Sequence, residues 1–331
     1  MKTAKNQYLD PKIFTDKVDM VPIRKGFGEG LVTSGRADKN IVALCADLTE
    51  STQMEAFKQE FPERFVEIGV AEQNLVTVGS GLASVGKKPF VTSYAGFSPG
   101  RNWEQIRTTI CLNDQNVKIV GSHAGVSVGP DGATHQMLED IALMRILPNM
   151  TVIVPADSIE AQKATEALAK TDSPAYLRLA REKTAVFSTK ETPFEIGKAQ
   201  VLVEGSDVTI VACGPLVYEA LKASKVLMEK NISAEVINCS TIKPYDHSTI
   251  AASAKKTGLV VTIEEAQSAG GLGGVVAESL ATEQTAPVYR MGVQDRFGQS
   301  GTVEELWEEY DLDCASIVEK VIEISTKESK K

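Results

Sequence analysis

Of the three histidines in this 331-residue chain, His123 and His135 share one glycine-rich segment, with Asp131 between them. The segment follows an apolar, strand-like run at 117–120. Ligand-handling groups in parallel α/β domains gather at the carboxyl ends of strands. A histidine pair with an aspartate in that position can bind hydroxyls and phosphate and carry protons. Two satisfied surface histidines would leave the same trace, so the residues alone leave both readings open. Zinc is the weaker use, because no cysteine or further histidine stands near enough to complete a ligand set. Glu72 is the other candidate: it follows the run 65–68 and opens a helical pattern at 72–85. A carboxylate at a helix N-terminus is favoured by the helix dipole in any case. Its neighbours Val70, Ala71, Leu75 and Gly79 are apolar or small, which suits a carboxylate facing a dry pocket.

Two glycine clusters invite a phosphate reading and fail it. Gly81–Lys88 puts Lys88 where a phosphate loop needs Ser or Thr, and it closes a helix where such a loop opens one. A glycine-terminated helix end is expected there. Gly270–Gly274 has Val276 at the third glycine position of a dinucleotide fingerprint. Glu264 and Glu265 precede it and would repel a pyrophosphate, so a tight loop into a helix is the better reading.

These residues need a scaffold, and the pattern supplies an alternating one. Short apolar runs at 41–46, 65–68, 89–92, 117–120 and 151–154 are separated by helical stretches at 72–85, 102–112 and 158–170. A second series, at 208–212, 234–238, 259–263 and 288–290, follows a polar connector around 188–194. Unbroken apolar strands alternating with helices predict parallel sheets covered on both faces. The expected fold is therefore α/β, in two domains with a boundary near residue 190.

Composition narrows the function classes. A formal net charge of -9 argues against an electrostatic nucleic-acid binder, which needs a basic face. No run of about 18 apolar residues is present, so no membrane span is expected. The polar start at residues 1–8 has no signal-peptide core. Five cysteines occur without a C-x-x-C pair, as in a reducing compartment, and the cytoplasm is the expected location.

Taken together, the segments resemble the C-terminal half of transketolase. The match runs through 23–25, 46–52, 67–74, 94–97, 123–136, 147–150, 155–157 and 179–181, then through 270–274 and 295–298. The resemblance implies a thiamine-diphosphate pyrimidine-binding domain at 20–188 and a transketolase C-terminal domain at 195–328. It implies that Glu72 hydrogen-bonds the aminopyrimidine ring and promotes the imino form that takes the thiazolium C2 proton. A glutamate suits this task because a carboxylate out of water can share a proton. By the same resemblance Phe97 stacks on the pyrimidine, Tyr94 lines its pocket and Asp47 lies at the cofactor's edge. His135 matches a group near the reacting carbon. Arg24, Ser51, His123 and Arg181 match groups that clamp a sugar phosphate, and Asp131 matches a reader of a substrate hydroxyl.

Two departures stand out. Gly100 occupies a place where longer relatives often carry another aromatic. The residues ahead of Arg24 are too few for an α/β domain that would hold the diphosphate. The resemblance thus implies a split enzyme, with a heterotetramer as the expected assembly. In it a separate N-terminal chain supplies the diphosphate site and the Mg2+ or Ca2+ ligands. The expected reaction is transfer of a two-carbon ketol unit between sugar phosphates. The alternatives are a half resembling 1-deoxyxylulose-5-phosphate synthase or the β chain of 2-oxoacid dehydrogenases, and, from another class, a non-catalytic binding or regulatory module.

Overall fold

The chain is described by a computed structural model covering residues 3, 4, 8–15, 17–282 and 285–328. Most of the polar start lies outside the described residues. Strands form where the apolar runs fall. The first half contributes β1 (Met20–Pro22), β2 (Ile41–Cys45), β3 (Phe65–Glu67), β4 (Lys88–Tyr94), β5 (Lys118–Ser122), β6 (Thr151–Ile153), β7 (Ala175–Arg178) and β8 (Lys183–Ala185). The second contributes β9 (Gln200–Val203), β10 (Val208–Ala212), β11 (Ala234–Asn238), β12 (Thr241–Lys243), β13 (Val260–Gln267) and β14 (Val288–Val293).

One sheet of seven strands runs β12-β6-β7-β5-β4-β2-β3, and a second of five runs β14-β13-β10-β11-β9. Within them only the β12–β6 and β11–β9 pairs are antiparallel. A small antiparallel pair, β1–β8, stands apart. Parallel pairing explains the unbroken apolar runs: every residue of β2 and β10 is buried, as helices on both faces require. The mainly parallel α/β architecture is as expected. Strands β4 and β13 run longer than their apolar runs because polar residues at their ends complete the ladders, and β14 extends through buried Met291 and Val293, which pair with β13. The stretch 102–112 also differs from a plain helix. Only Trp103–Gln105 is α-helical, and Ile106–Cys111 is a π-helical turn, in which Leu112 N–H bonds Arg107 C=O.

The two halves are tied more closely than a boundary near 190 suggests. Strand β12 comes from the second half yet pairs with β6 and completes the first sheet's edge. Conversely, Ile13 is buried in the same core as Leu202, Ile210 and Val236 of the second half.

Glu160, on the helix Ser158–Leu168, sits in this junction at 4% exposure. Its carboxylate accepts from Ala156 N–H at 2.7 Å and from Asn238 Nδ2 of β11 at 2.9 Å. Burial pushes its pKa from 4.5 up to about 7. The folded state therefore holds the proton more tightly than the unfolded chain, and stability is lost as pH rises from about 4.5 through 7. A Glu160→Gln side chain escapes that loss. It can accept from Ala156 and donate to Asn238 Oδ1, which is buried without a partner, once that amide turns over. We expect the variant to be more stable than the parent at pH 8, by up to about 3 kcal/mol, and equal to it near pH 5. Urea unfolding at the two pH values reads this directly; a variant weaker than the parent at pH 8 contradicts it.

Candidate active site

The carboxyl ends of β3, β2, β4, β5 and β7 line up along one rim of the seven-stranded sheet, and every candidate residue except Arg24 ends or follows one of them. Glu72 begins the helix Glu72–Ser84 just beyond β3 and is 2% exposed. Ser93 Oγ donates to its Oε1 at 3.2 Å and Arg101 Nη1 to its Oε2 at 3.1 Å. Asn102 Nδ2 donates to its backbone carbonyl at 2.8 Å, which pins the helix start. The carboxylate thus faces inward, as its apolar flanks suggest, although Val70 itself is exposed.

The aromatic residues stand beside it. The Arg101 guanidinium lies 4.7 Å from the Phe97 ring centre, so one side chain touches both the carboxylate and the ring. Tyr94 stacks at 6.2 Å from Phe97 and at 3.9 Å from His123. His135 meets Phe97 edge-on at 5.5 Å. A flat heteroaromatic ring would find aromatic faces here and a carboxylate for its edge. At Gly100 a side chain has no room, since a Cβ there would sit 2.2 Å from the Gly96 carbonyl oxygen. The aromatic of longer relatives therefore has no counterpart at this turn.

A second cluster adjoins the first. Arg24 opens the helix Ile23–Ala37, which packs on Ser158–Leu168. Its guanidinium donates to the carbonyls of Ser51 and, at 3.1 Å, of Arg181. Arg181 in turn donates to the Val128 carbonyl at 2.9 Å and pairs with Asp131 at 3.2 Å. His123 is 2% exposed, shares a hydrogen bond with Ser122 Oγ at 2.9 Å, and has its pKa lowered to about 3 by burial, then by Arg24, Arg181 and His135. Burial and the like charge of Arg181 also lower the pKa of Arg24. A neutral imidazole beside two mutually repelling guanidiniums is a setting that an incoming anion relieves. His135 shares a hydrogen bond with Thr134 Oγ1 through Nδ1 at 2.9 Å, which leaves Nε2 for other work.

Two candidates contribute less directly. Ser51 offers its carbonyl to Arg24, and its hydroxyl makes no hydrogen bond among the described residues. Asp47 has φ 59° and an exposed side chain, and its backbone N–H donates to Glu67 at 2.7 Å. Glu67 also receives Gly69 N–H at 2.9 Å, so it braces the turn that leads to Glu72.

Both glycine clusters are structural. The helix before Gly86 ends at Ser84, and Gly86 turns with φ +84°. At the second cluster, the amides of Leu272 and Gly273 donate to Glu264 at 2.7 and 2.8 Å. An internal carboxylate thus already occupies the helix start that a pyrophosphate would need. Sequence reasoning missed Ser93, Arg101 and Asn102. A Thr-Ser pair inside the otherwise apolar β4 was the available signal for Ser93.

Comparison with known proteins identifies the family of both halves. The transketolase pyrimidine-binding domain family matches residues 19–186, and the transketolase C-terminal domain family matches 197–317. An inferred transketolase C-terminal section of Methanocaldococcus jannaschii is 45% identical over 92% of this chain and 97% of its own length. A 6-deoxy-6-sulfo-D-fructose transketolase subunit of Clostridium sp. is 38% identical over 96% of this chain and 98% of its own length. An apulose-4-phosphate transketolase subunit of Phocaeicola vulgatus is 38% identical over 93% of this chain and 99% of its own length. Among solved structures, a split-gene transketolase described as an inactive β4 tetramer superposes with a TM-score of 0.87 at 43% identity, covering 92% of this chain and 99% of that one. The chain belongs to the transketolase family, and its two α/β halves are that family's pyrimidine-binding and C-terminal domains.

Proposed function

We propose that this chain is the C-terminal subunit of a split transketolase and moves a two-carbon ketol unit between sugar phosphates, together with an N-terminal subunit that holds the cofactor's diphosphate. The observation that carries the reading is the buried Glu72 carboxylate set beside Phe97 and Tyr94. That donor set fits the aminopyrimidine of thiamine diphosphate, which needs a ring face to stack on and a carboxylate at its edge. When bound, thiamine diphosphate supplies the nucleophilic carbon and the electron sink of the reaction.

The residues of this chain take the remaining tasks. Glu72 holds a proton at the ring edge, with Ser93 fixing its orientation. Phe97 stacks on the ring, Tyr94 lines its pocket, and Asp47 lies at the edge of the cofactor site. His135 has Nε2 free to hand a proton to or from a substrate hydroxyl. Arg24, Arg181, neutral His123 and Ser51 hold the sugar phosphate, and Asp131 reads a hydroxyl beside it. The Mg2+ or Ca2+ that accompanies the diphosphate takes its ligands from the partner. Among the described residues, no group of three or more His, Cys, Asp or Glu could hold a metal ion. A heterotetramer is the expected assembly; relatives named as subunits, and a tetramer of one chain type named inactive, support the need for a partner. No described helix is long and apolar enough to cross a membrane. The proposed site of action is the cytoplasm, in keeping with five free cysteines.

The test is an assay of the chain with a diphosphate-binding partner, using xylulose 5-phosphate and ribose 5-phosphate against pyruvate. Ketol transfer that needs both chains is expected; consumption of pyruvate instead, or no turnover of either, overturns the reading. In the same assay Arg181→Gln should raise KM for the sugar phosphate about 10- to 100-fold, the effect of losing a charged hydrogen-bond donor. Thiamine diphosphate affinity should stay unchanged, because Arg181 follows β7 while Glu72 and Phe97 follow β3 and β4. An equal loss of both affinities would remove Arg181 from the phosphate role.

A further inference from the structure

The loop that carries His123, Asp131 and His135 is shaped from outside its own domain. Glu265, 1% exposed on β13 of the second sheet, reaches across to Ser127 in that loop. One carboxylate oxygen accepts the Ser127 backbone N–H at 3.2 Å and the other accepts the Ser127 hydroxyl at 3.0 Å. The fit is close. A Cβ at Gly125, where φ is +84°, would lie 2.4 Å from the Glu265 carboxyl carbon, so only glycine lets the loop approach. Arg178, at the end of β7, holds the carboxylate from the other side with Nη1 at 3.7 Å and donates to the Glu265 carbonyl at 3.1 Å. A second grip lies at the far end of the loop: Gln136 Nε2 donates to the Gln299 carbonyl at 2.9 Å and to the Val126 carbonyl at 3.0 Å. The residue after Ser127, Val128, offers the carbonyl that receives Arg181. A short path of direct contacts therefore leads from a second-domain carboxylate to an arginine of the candidate phosphate clamp.

We propose that Glu265 is a positioning residue, and that the C-terminal domain serves the reaction as the template on which the substrate loop takes its shape. The inference rests on the proposed ketol-transfer function for its kinetic consequence, though not for its structural one. Glu265 touches neither substrate nor cofactor; it acts through Ser127.

The experiment has two arms. In the first, amide hydrogen exchange is measured on the full chain alone, for the parent, Glu265→Gln and Ser127→Ala. Glutamine keeps the shape but removes the charge: with its oxygen on the Ser127 N–H, its amide nitrogen takes the place of the oxygen that Arg178 Nη1 faces at 3.7 Å, so both bonds to Ser127 lose their charged acceptor. Ser127→Ala removes the hydroxyl while leaving the Arg178–Glu265 pair intact. Each should speed exchange across residues 125–136 by about 10- to 100-fold, the range for losing a hydrogen bond to a charged group. Exchange in β4 and in the helix Glu72–Ser84 should not change. In the second arm, the chain is assembled with its partner. Both variants should raise KM for the sugar phosphates by a similar factor and lower kcat by less than KM rises, through His135 in the same loop, with thiamine diphosphate affinity within about threefold, and the double variant should be no worse than the worse single one. Unchanged loop exchange in both variants overturns the proposal, as does acceleration spread evenly through both domains. Should Glu265→Gln fail to fold, Ser127→Ala alone decides. Should the parent pair transfer no ketol unit, the functional reading falls while the exchange arm still tests the template.

Discussion

Changing Glu72 to glutamine, in the chain assembled with its diphosphate-binding partner, should lower ketol transfer by about 10²–10⁴-fold, the usual contribution of a positioned proton-transfer group. The substitution is nearly isosteric, and the amide oxygen can still accept from Ser93 Oγ, which lies 3.2 Å from Oε1. The helix start keeps its clamp from Asn102, which bonds the backbone and ignores the side chain. What disappears is the anionic oxygen that Arg101 holds at 3.1 Å, together with the ability to share a proton with a ring nitrogen. The variant should therefore fold, bind sugar phosphate as the parent does, and fail at activation. Two measurements separate these: steady-state turnover, and the rate at which the thiazolium C2 proton of the assembled enzyme exchanges with deuterium. Both should drop together. A variant that retains more than a tenth of parental turnover would remove Glu72 from the chemistry and favour a binding or regulatory role for the chain.

The second large effect concerns stability. Arg178 is 2% exposed between Asp140, at 0%, and Glu265, at 1%. Its Nε donates to Asp140 Oδ2 at 2.9 Å, and Tyr176 donates to the same oxygen at 2.7 Å. Burial opposes the charge on Arg178, yet Asp140 and Glu265 outweigh it and hold the guanidinium's pKa above its ordinary value. Arg178→Met would fill similar volume and leave two buried carboxylates with no cation. Breaking such a cluster by removing one partner costs about 3–5 kcal/mol. The sign of its pH dependence follows. Burial already raises the pKa of Glu265 and Arg178 opposes that rise, so with Arg178 gone the folded state binds a proton on Glu265 more tightly still than the unfolded chain does. The loss is then full near pH 8 and eases as pH falls toward the ordinary carboxylate range. Urea unfolding at pH 8 and pH 5 checks both size and direction; a loss under about 1 kcal/mol at pH 8 would mean that the cluster is not held by its cation.

Much of this molecule is legible in its sequence, for reasons that differ by residue. Strand β10 coincides with the run 208–212, because a strand buried on both faces leaves little choice of residue type, and β11 coincides with 234–238 although it buries Glu235 and Asn238. Glu72 stands out because a carboxylate among small apolar neighbours needs a reason to be there. Phe97, Tyr94 and the histidine segment became interpretable only as a set, by resemblance, since each alone fits an ordinary core or surface. Ser51 shows the limit of that transfer: it lies beside Arg24, but it is the carbonyl, common to every residue type, that Arg24 meets. Arg178, Asp140 and Glu265 were beyond reach, because their pairing joins positions far apart in the chain and no local pattern encodes it. Glu264 and Glu265 were noticed only for the charge they would turn against a phosphate. In the folded chain one caps a helix and the other braces a loop. Strand β12 is too short and too mixed in character to register as a sheet element, and its partner β6 lies almost ninety residues earlier.

That last pairing bears on how the protein is made. While the ribosome is still working toward Lys243, the nascent first sheet has a bare rim at β6, whose open N–H and C=O groups invite pairing with a neighbouring chain. Three residues of the later half cover that rim, so the β6 edge of the first sheet is paired only once the second domain is being translated.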